Sequence, residues 1–556
     1  MKKFKEILEL TGNSKIVMVR LVFLGVVGGG ASFSFITLVN YCIGKMFNDP
    51  AFSEQNKLLY LFGLIIVVYF FARRILSLGI IRLSQNVFWK IRTDVIKNVM
   101  NSPFSKLNGN KNEIHSVLTH DVGNITAASL LTVDLIIAGI LIAACTIYMF
   151  FLSQVLLLVS AIIIIIGVVI YRLTSRKLNG FFSRTRELEV AFLKHFNSIL
   201  SGAKEINLEP KKGKEIFEEK ISTIADEALA NNKKAFAGYL NNEITGQLLF
   251  YMLISFLVLF AGNLFNIKSD KVVSFILVLL YVLGPIESIM GMIPTLNKAA
   301  ISLDNITDLK KKMEINSINE TLTETKQLND FNKLTVKNLE YKFSDSVDSF
   351  HVGPFDLTIN KGEIIFIYGG NGSGKTTFLY TVIHLYEPTA GEIWVDGKVI
   401  VGNEWAEFKL LFAPVFSDFY LFDSFYGIDN INEDMLREYL VLFEIDKKVS
   451  VKDGNYSTID LSTGQRKRLA LISAIMENKK ILVLDEWAAD QDPHFRKKFY
   501  TEILPYLKKR GFTILAITHD DNYYHCADKL YKMDSGNLFL QEIGKTDESL
   551  MNYEKN

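Results

Sequence analysis

Net charge is almost missing from this chain. Across 556 residues, 61 Lys and Arg stand against 60 Asp and Glu, a formal balance of +1. That gives no basic field for nucleic acid and no acidic surplus of the kind that keeps a chain unfolded, so no nucleic-acid partner is expected. Cysteine is scarce as well. Cys42, Cys145 and Cys526 form no CxxC or other metal spacing, which excludes a disulfide framework and a zinc site. No cleavable leader is expected. After Lys2, Lys3 and Lys5, the apolar run 16–43 has Arg20 as its only charge. It is too long for a signal-peptide core and has no small-residue cleavage pattern.

What the chain has in abundance is apolar sequence, 49% of all residues, concentrated before about residue 301. Six stretches, 16–43, 58–80, 130–151, 155–171, 244–264 and 272–292, approach or exceed the roughly 20 residues that cross hydrocarbon. Only 152–154 separates the third from the fourth, which predicts an antiparallel hairpin. Lys and Arg crowd the amino terminus, the segment after the second stretch and the segment after the fourth. By the positive-inside rule both termini are then cytoplasmic, and two long cytoplasmic excursions, about 81–125 and 172–240, are expected on the same side. Within the spans, Asp134 and Glu287, the latter beside an expected kink at Pro285, are the ionisable residues to note, and Gly28–Gly30 would permit close helix packing. The expected organisation is a membrane domain over 1–310, a polar linker over 311–331, an α/β nucleotide domain over 332–546 and a tail over 547–556.

The stretch that gives this architecture a motor is GGNGSGKTT: Gly369, Gly370, Asn371, Gly372, Ser373, Gly374, Lys375, Thr376 and Thr377. It follows an apolar run, 364–368, and precedes a helix-like segment, the strand, glycine loop and helix order of a phosphate-binding loop. Glycines let backbone N–H groups turn around phosphates, Lys375 reaches the terminal phosphates, and the Thr376 hydroxyl can ligate Mg²⁺. The apolar strand ILVLDE, 481–486, delivers Asp485 to a metal and Glu486 to an attacking water. Upstream, LSTGQ at 461–465 opens a helix whose start suits a γ-phosphate.

LSTGQ just before ILVLDE, with the phosphate loop earlier and ITHD (517–520) later, resembles the ATP-binding-cassette family, whose signature is usually LSGGQ. Six spans ahead of one cassette resemble an ABC exporter half-transporter, and the resemblance covers nearly the whole chain. It implies ATP and Mg²⁺ as cofactors and a second copy of the chain as partner, with each ATP held between one copy's phosphate loop and the other's Ser462, Thr463, Gly464 and Gln465. It further implies that His519 contacts the γ-phosphate, that 489–492 crosses the dimer interface, and that Phe343 stacks on adenine. Three departures stand out: Thr463 replaces a glycine, Trp487–Ala489 replaces a common PTS, and Ser417 falls where a glutamine usually bridges Mg²⁺ and the membrane domain. Asp418 beside Ser417 could supply the missing oxygen.

VFSD at 415–418, KEINL at 204–208 and DEWAADQDP at 485–493 resemble, more narrowly, the cyclic-peptide and siderophore exporter branch, which includes transporters of pyoverdine-type precursors and lasso-peptide microcins. The reading is therefore ATP-driven export of a peptide-like or amphipathic molecule across the cytoplasmic (inner) membrane by alternating access in a homodimer. Import through the same fold is an open alternative, since both directions use one cassette. An ATP-gated channel or regulator is a third, against which the presence of Glu486 weighs.

Overall fold

The computed structural model describes residues 15–48, 55–313, 330–343, 350–428 and 430–543. The amino-terminal basic start, most of the expected linker and the expected tail lie outside them. The described residues form two compact units, 15–102 with 106–313 and 103–105 with 330–543.

The first unit is helical. Its long elements are α1 (Lys15–Asn48), α2 (Gln55–Met100), α3 (Val122–Leu152), α4 (Gln154–Ser201), α5 (Thr223–Phe265) and α6 (Ser269–Met313). Each contains a stretch long and apolar enough to cross a membrane. The hairpin between α3 and α4 is even tighter than expected, a single non-helical residue. Ser153 lies at φ −165°, ψ 114°, and its hydroxyl accepts the Leu156 N–H at 3.4 Å, capping α4. A serine there supplies the acceptor that a helix start needs. The expected kink residue, Pro285, sits with Pro294 inside the continuous helix α6.

Small residues set how closely these helices approach. A Cβ on Gly29 would lie 2.8 Å from Ile140 Cγ2, so α1 packs on α3 at a distance only glycine allows. The noted charges are partnered: Arg73 donates to Asp134 at 2.6 Å and Gln247 donates to Glu287 at 2.8 Å. Asp121, with no exposed surface, accepts from Arg186 Nη2 at 2.6 Å and from Asn305 at 3.3 Å. That cluster joins three separate stretches of helix through one buried carboxylate, and buried polar groups are costly unless hydrogen-bonded.

The second unit is α/β. A six-stranded sheet runs in the order β12 (Asn537–Gln541), β11 (Lys529–Asp534), β3 (Ile364–Tyr368), β10 (Thr513–Ile517), β9 (Ile481–Asp485), β6 (Phe412–Val415). All neighbours are parallel except the edge pair β11–β12. Beside it, β2 (His351–Asn360), β1 (Lys333–Lys342), β4 (Ala390–Val395) and β5 (Lys398–Val399) form an antiparallel sheet. β9 and β10 are buried at every residue, as is β3 up to Ile367. This is why they read as unbroken apolar runs: a central parallel strand is covered on both faces. In register, Ile517 of β10 pairs with Ile367 of β3 on one side and Asp485 of β9 on the other. Three adjacent strands therefore end together at their carboxyl edge, where open α/β sheets place ligands.

Candidate functional site: a phosphate loop beside paired carboxylates

The loop after β3 turns into α7 (Lys375–Val382) through two left-handed glycines, Gly372 at φ 77° and Gly374 at φ 100°. Side chains are excluded here for a second reason. A Cβ on Gly369 would meet the Met533 carbonyl oxygen at 2.1 Å, and one on Gly374 would meet Val352 Cγ2 at 2.9 Å. Lys375 is only 6% exposed and its Nζ donates to the carbonyls of Gly369 and Gly370 at 3.0 and 2.9 Å. Burial pulls its ammonium below the ordinary lysine range, while the charges of Glu486 and Asp485 oppose the change. Gly370, Asn371 and Thr376 are exposed, Thr377 is half-buried, and Ser373 is buried with no partner for Oγ. A cavity of about 580 Å³ opens over the loop. It is lined by 370–373, by Phe350 and His351 at the start of β2, and by 532–535.

β9 ends in Asp485, 1% exposed. Ser417, just after β6, donates to its Oδ2 at 3.0 Å, and Oδ1 has no partner. Burial raises the Asp485 carboxyl above the usual range. Hydrogen bonds from Ser417 lower it, and the nearby charges of Glu486 and Asp418 raise it again. A buried carboxylate oxygen without a donor fits a divalent cation, which the Thr376 hydroxyl could share. Among the described residues no group of three or more His, Cys, Asp or Glu is placed to hold a metal ion by itself, and Mg²⁺ in nucleotide sites is commonly held by one or two protein oxygens together with phosphates and water. Asp418 is exposed.

Glu486 turns the chain sharply at φ 48°, ψ 38°. Its Oε1 lies 3.1 Å from His519 Nε2, which follows the end of β10. The phosphate loop, Lys375, Ser417, Asp485, Glu486 and His519 thus gather at one edge of the sheet.

The signature segment forms the head of α8 (Thr463–Met476). Ser462 and Gln465 make reciprocal side chain to backbone bonds, at 3.4 and 3.3 Å, a capping box that leaves Ser462 and Thr463 exposed. Among the described residues no hydrogen bond joins 462–465 to the phosphate loop. Gly464 is pressed against the 489–492 loop: its Cβ would be 2.8 Å from the Asp490 carbonyl oxygen. Phe343 is 53% exposed and packs edge-on against Tyr341 at 5.1 Å, whereas the ring that lines the cavity is Phe350. Sequence reasoning gives Phe350 and Lys467 no role, and it names Trp487 only as a departure from PTS and Gln491 only within the 489–492 loop. Lys467 alone had a signal: it falls four residues before Leu471 on the buried stripe of α8.

Six apolar membrane helices followed by a phosphate-loop ATPase fold define a membrane-embedded, ATP-hydrolysing transporter. The chain belongs to the ABC transporter family. The family's transmembrane-region model matches residues 18–286 and its ABC transporter model matches 352–489. The ATP-binding protein SyrD of Pseudomonas syringae pv. syringae is 31% identical over 532 residues, covering 92% of each chain. The glycine betaine transport ATP-binding protein OpuAA of Bacillus subtilis is 32% identical over 214 residues, 36% of this chain and 51% of that one. In fold, a solved bacterial Atm1-family ABC exporter with ATP bound aligns at a TM-score of 0.81 over 97% of this chain and 96% of that one, at 14% identity. With one membrane unit and one cassette, the chain is an exporter-type half-transporter.

Proposed function

We propose that two copies of this chain form a homodimer in the cytoplasmic membrane, both termini cytoplasmic, that exports a peptide-like or amphipathic small molecule at the expense of ATP. The observation that carries this reading is helix length. Five of the six candidate spans are 44 to 56 residues long, which at 1.5 Å per residue is roughly 65–85 Å against a hydrocarbon core of about 30 Å. Helices that reach so far beyond lipid can carry a cassette's movement into the bilayer. The likeness of VFSD, KEINL and DEWAADQDP to the cyclic-peptide and siderophore branch supports the cargo class.

In this reading Lys375 and the loop N–H groups bind the phosphates, and Glu486, next to His519, takes the proton of the attacking water. Thr376 and Asp485 would hold Mg²⁺, with Ser417 orienting Asp485 and Asp418 supplying the oxygen that the usual glutamine would give. When bound, the cation neutralises phosphate charge. Phe343 is assigned to the adenine face, and Ser462–Gln465 to the partner's nucleotide. One copy carries half of each composite site, so closure of two copies completes both. Because both cassettes contact ATP only when closed, nucleotide shifts the population toward that state.

The test is ATP-dependent accumulation of labelled cyclic and linear peptides in inside-out vesicles, with Glu486→Gln as the inactive control. Accumulation in the wild type alone is expected. ATP-driven movement in the opposite direction would replace export by import, and conductance without accumulation would replace the pump by a channel.

A further inference from the structure

Glu486 occupies the left-handed region, where a residue with a side chain is strained and persists only if its surroundings hold it there. Its N–H donates to the Ile517 carbonyl at 3.0 Å, tying it to the neighbouring strand end. On the other side, two hydrogen bonds run in opposite directions between the Glu486–Trp487 segment and Lys467 of α8. Lys467 Nζ donates to the Glu486 carbonyl at 3.1 Å, and Trp487 Nε1 donates to the Lys467 carbonyl at 2.9 Å. The lysine side chain is 3% exposed and its ammonium also meets Asp490 Oδ2 at 2.7 Å. The indole is 2% exposed and packs on Phe499 with centroids 4.3 Å apart.

A buried ammonium is costly unless paired, and every oxygen that pairs this one comes from 486–490. Nor is the tryptophan ring merely filling space, since its single donor is spent on the same helix. The contact continues along α8: Gln491 donates to the Gly464 carbonyl at 3.1 Å and accepts from Arg468 Nε at 2.8 Å.

We propose that Lys467 and Trp487 are positioning residues for hydrolysis. Bonded to each other's segments in both directions, they hold Glu486 in its left-handed conformation, which keeps its carboxylate beside His519 Nε2. They also make the signature helix and the hydrolytic carboxylate of one chain move as a single body. In a two-copy arrangement the head of α8 serves the partner's nucleotide while Glu486 serves its own, so a displacement at one site is passed to the other. The inference rests on the reading of Glu486 as the hydrolytic carboxylate.

Three variants of the full chain test it. Trp487→Phe keeps a ring and removes the N–H, Lys467→Met keeps the stem and removes the ammonium, and Lys467→Arg restores a donor. Turnover is measured with Mg²⁺, and nucleotide affinity separately without it. Displacement of a reacting group by about 1 Å costs on the order of 100-fold, so a partial release should lower turnover about 10-fold in Trp487→Phe and about 30-fold in Lys467→Met. Nucleotide Kd should stay within about 2-fold of wild type and Lys467→Arg should recover most of the loss, while the double variant falls little beyond Lys467→Met because both bonds hold one peptide. Turnover within about 2-fold of wild type in both single variants, a parallel loss of nucleotide affinity, or Lys467→Arg no better than Lys467→Met would each overturn the proposal. Glu486→Gln in the same assay separates the two claims: normal hydrolysis there removes the underlying reading, and an inactive Glu486→Gln beside normal latch variants removes only this inference.

Discussion

Replacing Ser417 by alanine tests what stands in for the usual glutamine. The hydroxyl donates to Asp485 Oδ2 at 3.0 Å, and Asp485 is almost fully buried with Oδ1 already unpartnered. A hydrogen bond to a charged group contributes about 1.5–3 kcal/mol, which as a rate is roughly 10- to 150-fold. Ser417 is exposed, so water takes over part of the lost bond and the lower end, about 10-fold in kcat/KM for ATP, is expected. The pH profile gives a sharper criterion. Asp485 must be ionised to hold a cation; burial raises its carboxyl, the Ser417 bonds lower it, and the Asp418 charge raises it. Ser417→Ala should therefore move the acid limb of kcat/KM to higher pH. Asp418→Ala removes a like charge and should move the limb to lower pH. Initial rates across pH at constant ionic strength and saturating Mg²⁺ read both limbs. Two limbs that stay put, or that move in the same direction, would refute this account of how Ser417 and Asp418 act on Asp485.

Glu486→Gln should bind ATP normally and lose at least about 100-fold in turnover, the scale of a removed general base; turnover near wild type would remove the role given to this carboxylate. Gly464→Ala drives a methyl to 2.8 Å from the Asp490 carbonyl, a backbone atom that cannot rotate away. Such overpacking costs about 1–3 kcal/mol, and where that cost falls on the transition state turnover should drop about 5- to 150-fold. An unchanged rate would show that the 489–492 loop yields easily. In the helical unit, Asp121→Ala leaves Arg186, 11% exposed at its side chain, without its buried partner. Breaking such a pair costs about 3–5 kcal/mol, visible as a lower thermal midpoint, and Arg186→Met combined with Asp121→Leu should recover part of it. A double variant less stable than the single one would contradict the buried-pair argument.

The cassette's centre is legible in the sequence because burial on both faces leaves a strand no freedom in composition. The runs 364–368 and 481–485 have to be apolar throughout, and each ends where chemistry begins. The six membrane stretches are legible for a related reason: hydrocarbon makes charge costly, so runs of about 20 residues carry very little of it. Length beyond the bilayer is harder to read. α4 runs on to Ser201 and α5 starts at Thr223, over segments whose polar faces look like those of any solvated helix. The distinction between Phe343 and Phe350 is invisible locally. Both are aromatic residues at strand ends, and only the antiparallel pairing of β1 with β2 brings the second one over the phosphate loop.

Partnerships across about 20 residues are harder still, and they are where this cassette departs from the family pattern. Trp487 occupies a position where proline is common; proline has neither a ring N–H nor a backbone donor, so no equivalent of the Trp487–Lys467 bond could form there. The two bonds tie the same short segment to α8 from opposite directions. A lysine on the buried stripe of α8 would be an unpaired charge without the carbonyl of Glu486 and the carboxylate of Asp490, and the tryptophan donor would be unsatisfied without the Lys467 carbonyl. Replacing Lys467 leaves the Glu486 carbonyl without the side-chain donor that it has here, and replacing Trp487 removes a separate bond, to the Lys467 carbonyl, so each change loosens the Glu486–Trp487 segment through its own contact. A loss of turnover that exceeds what the loss of thermal stability accounts for is the signature of residues kept for positioning rather than for packing.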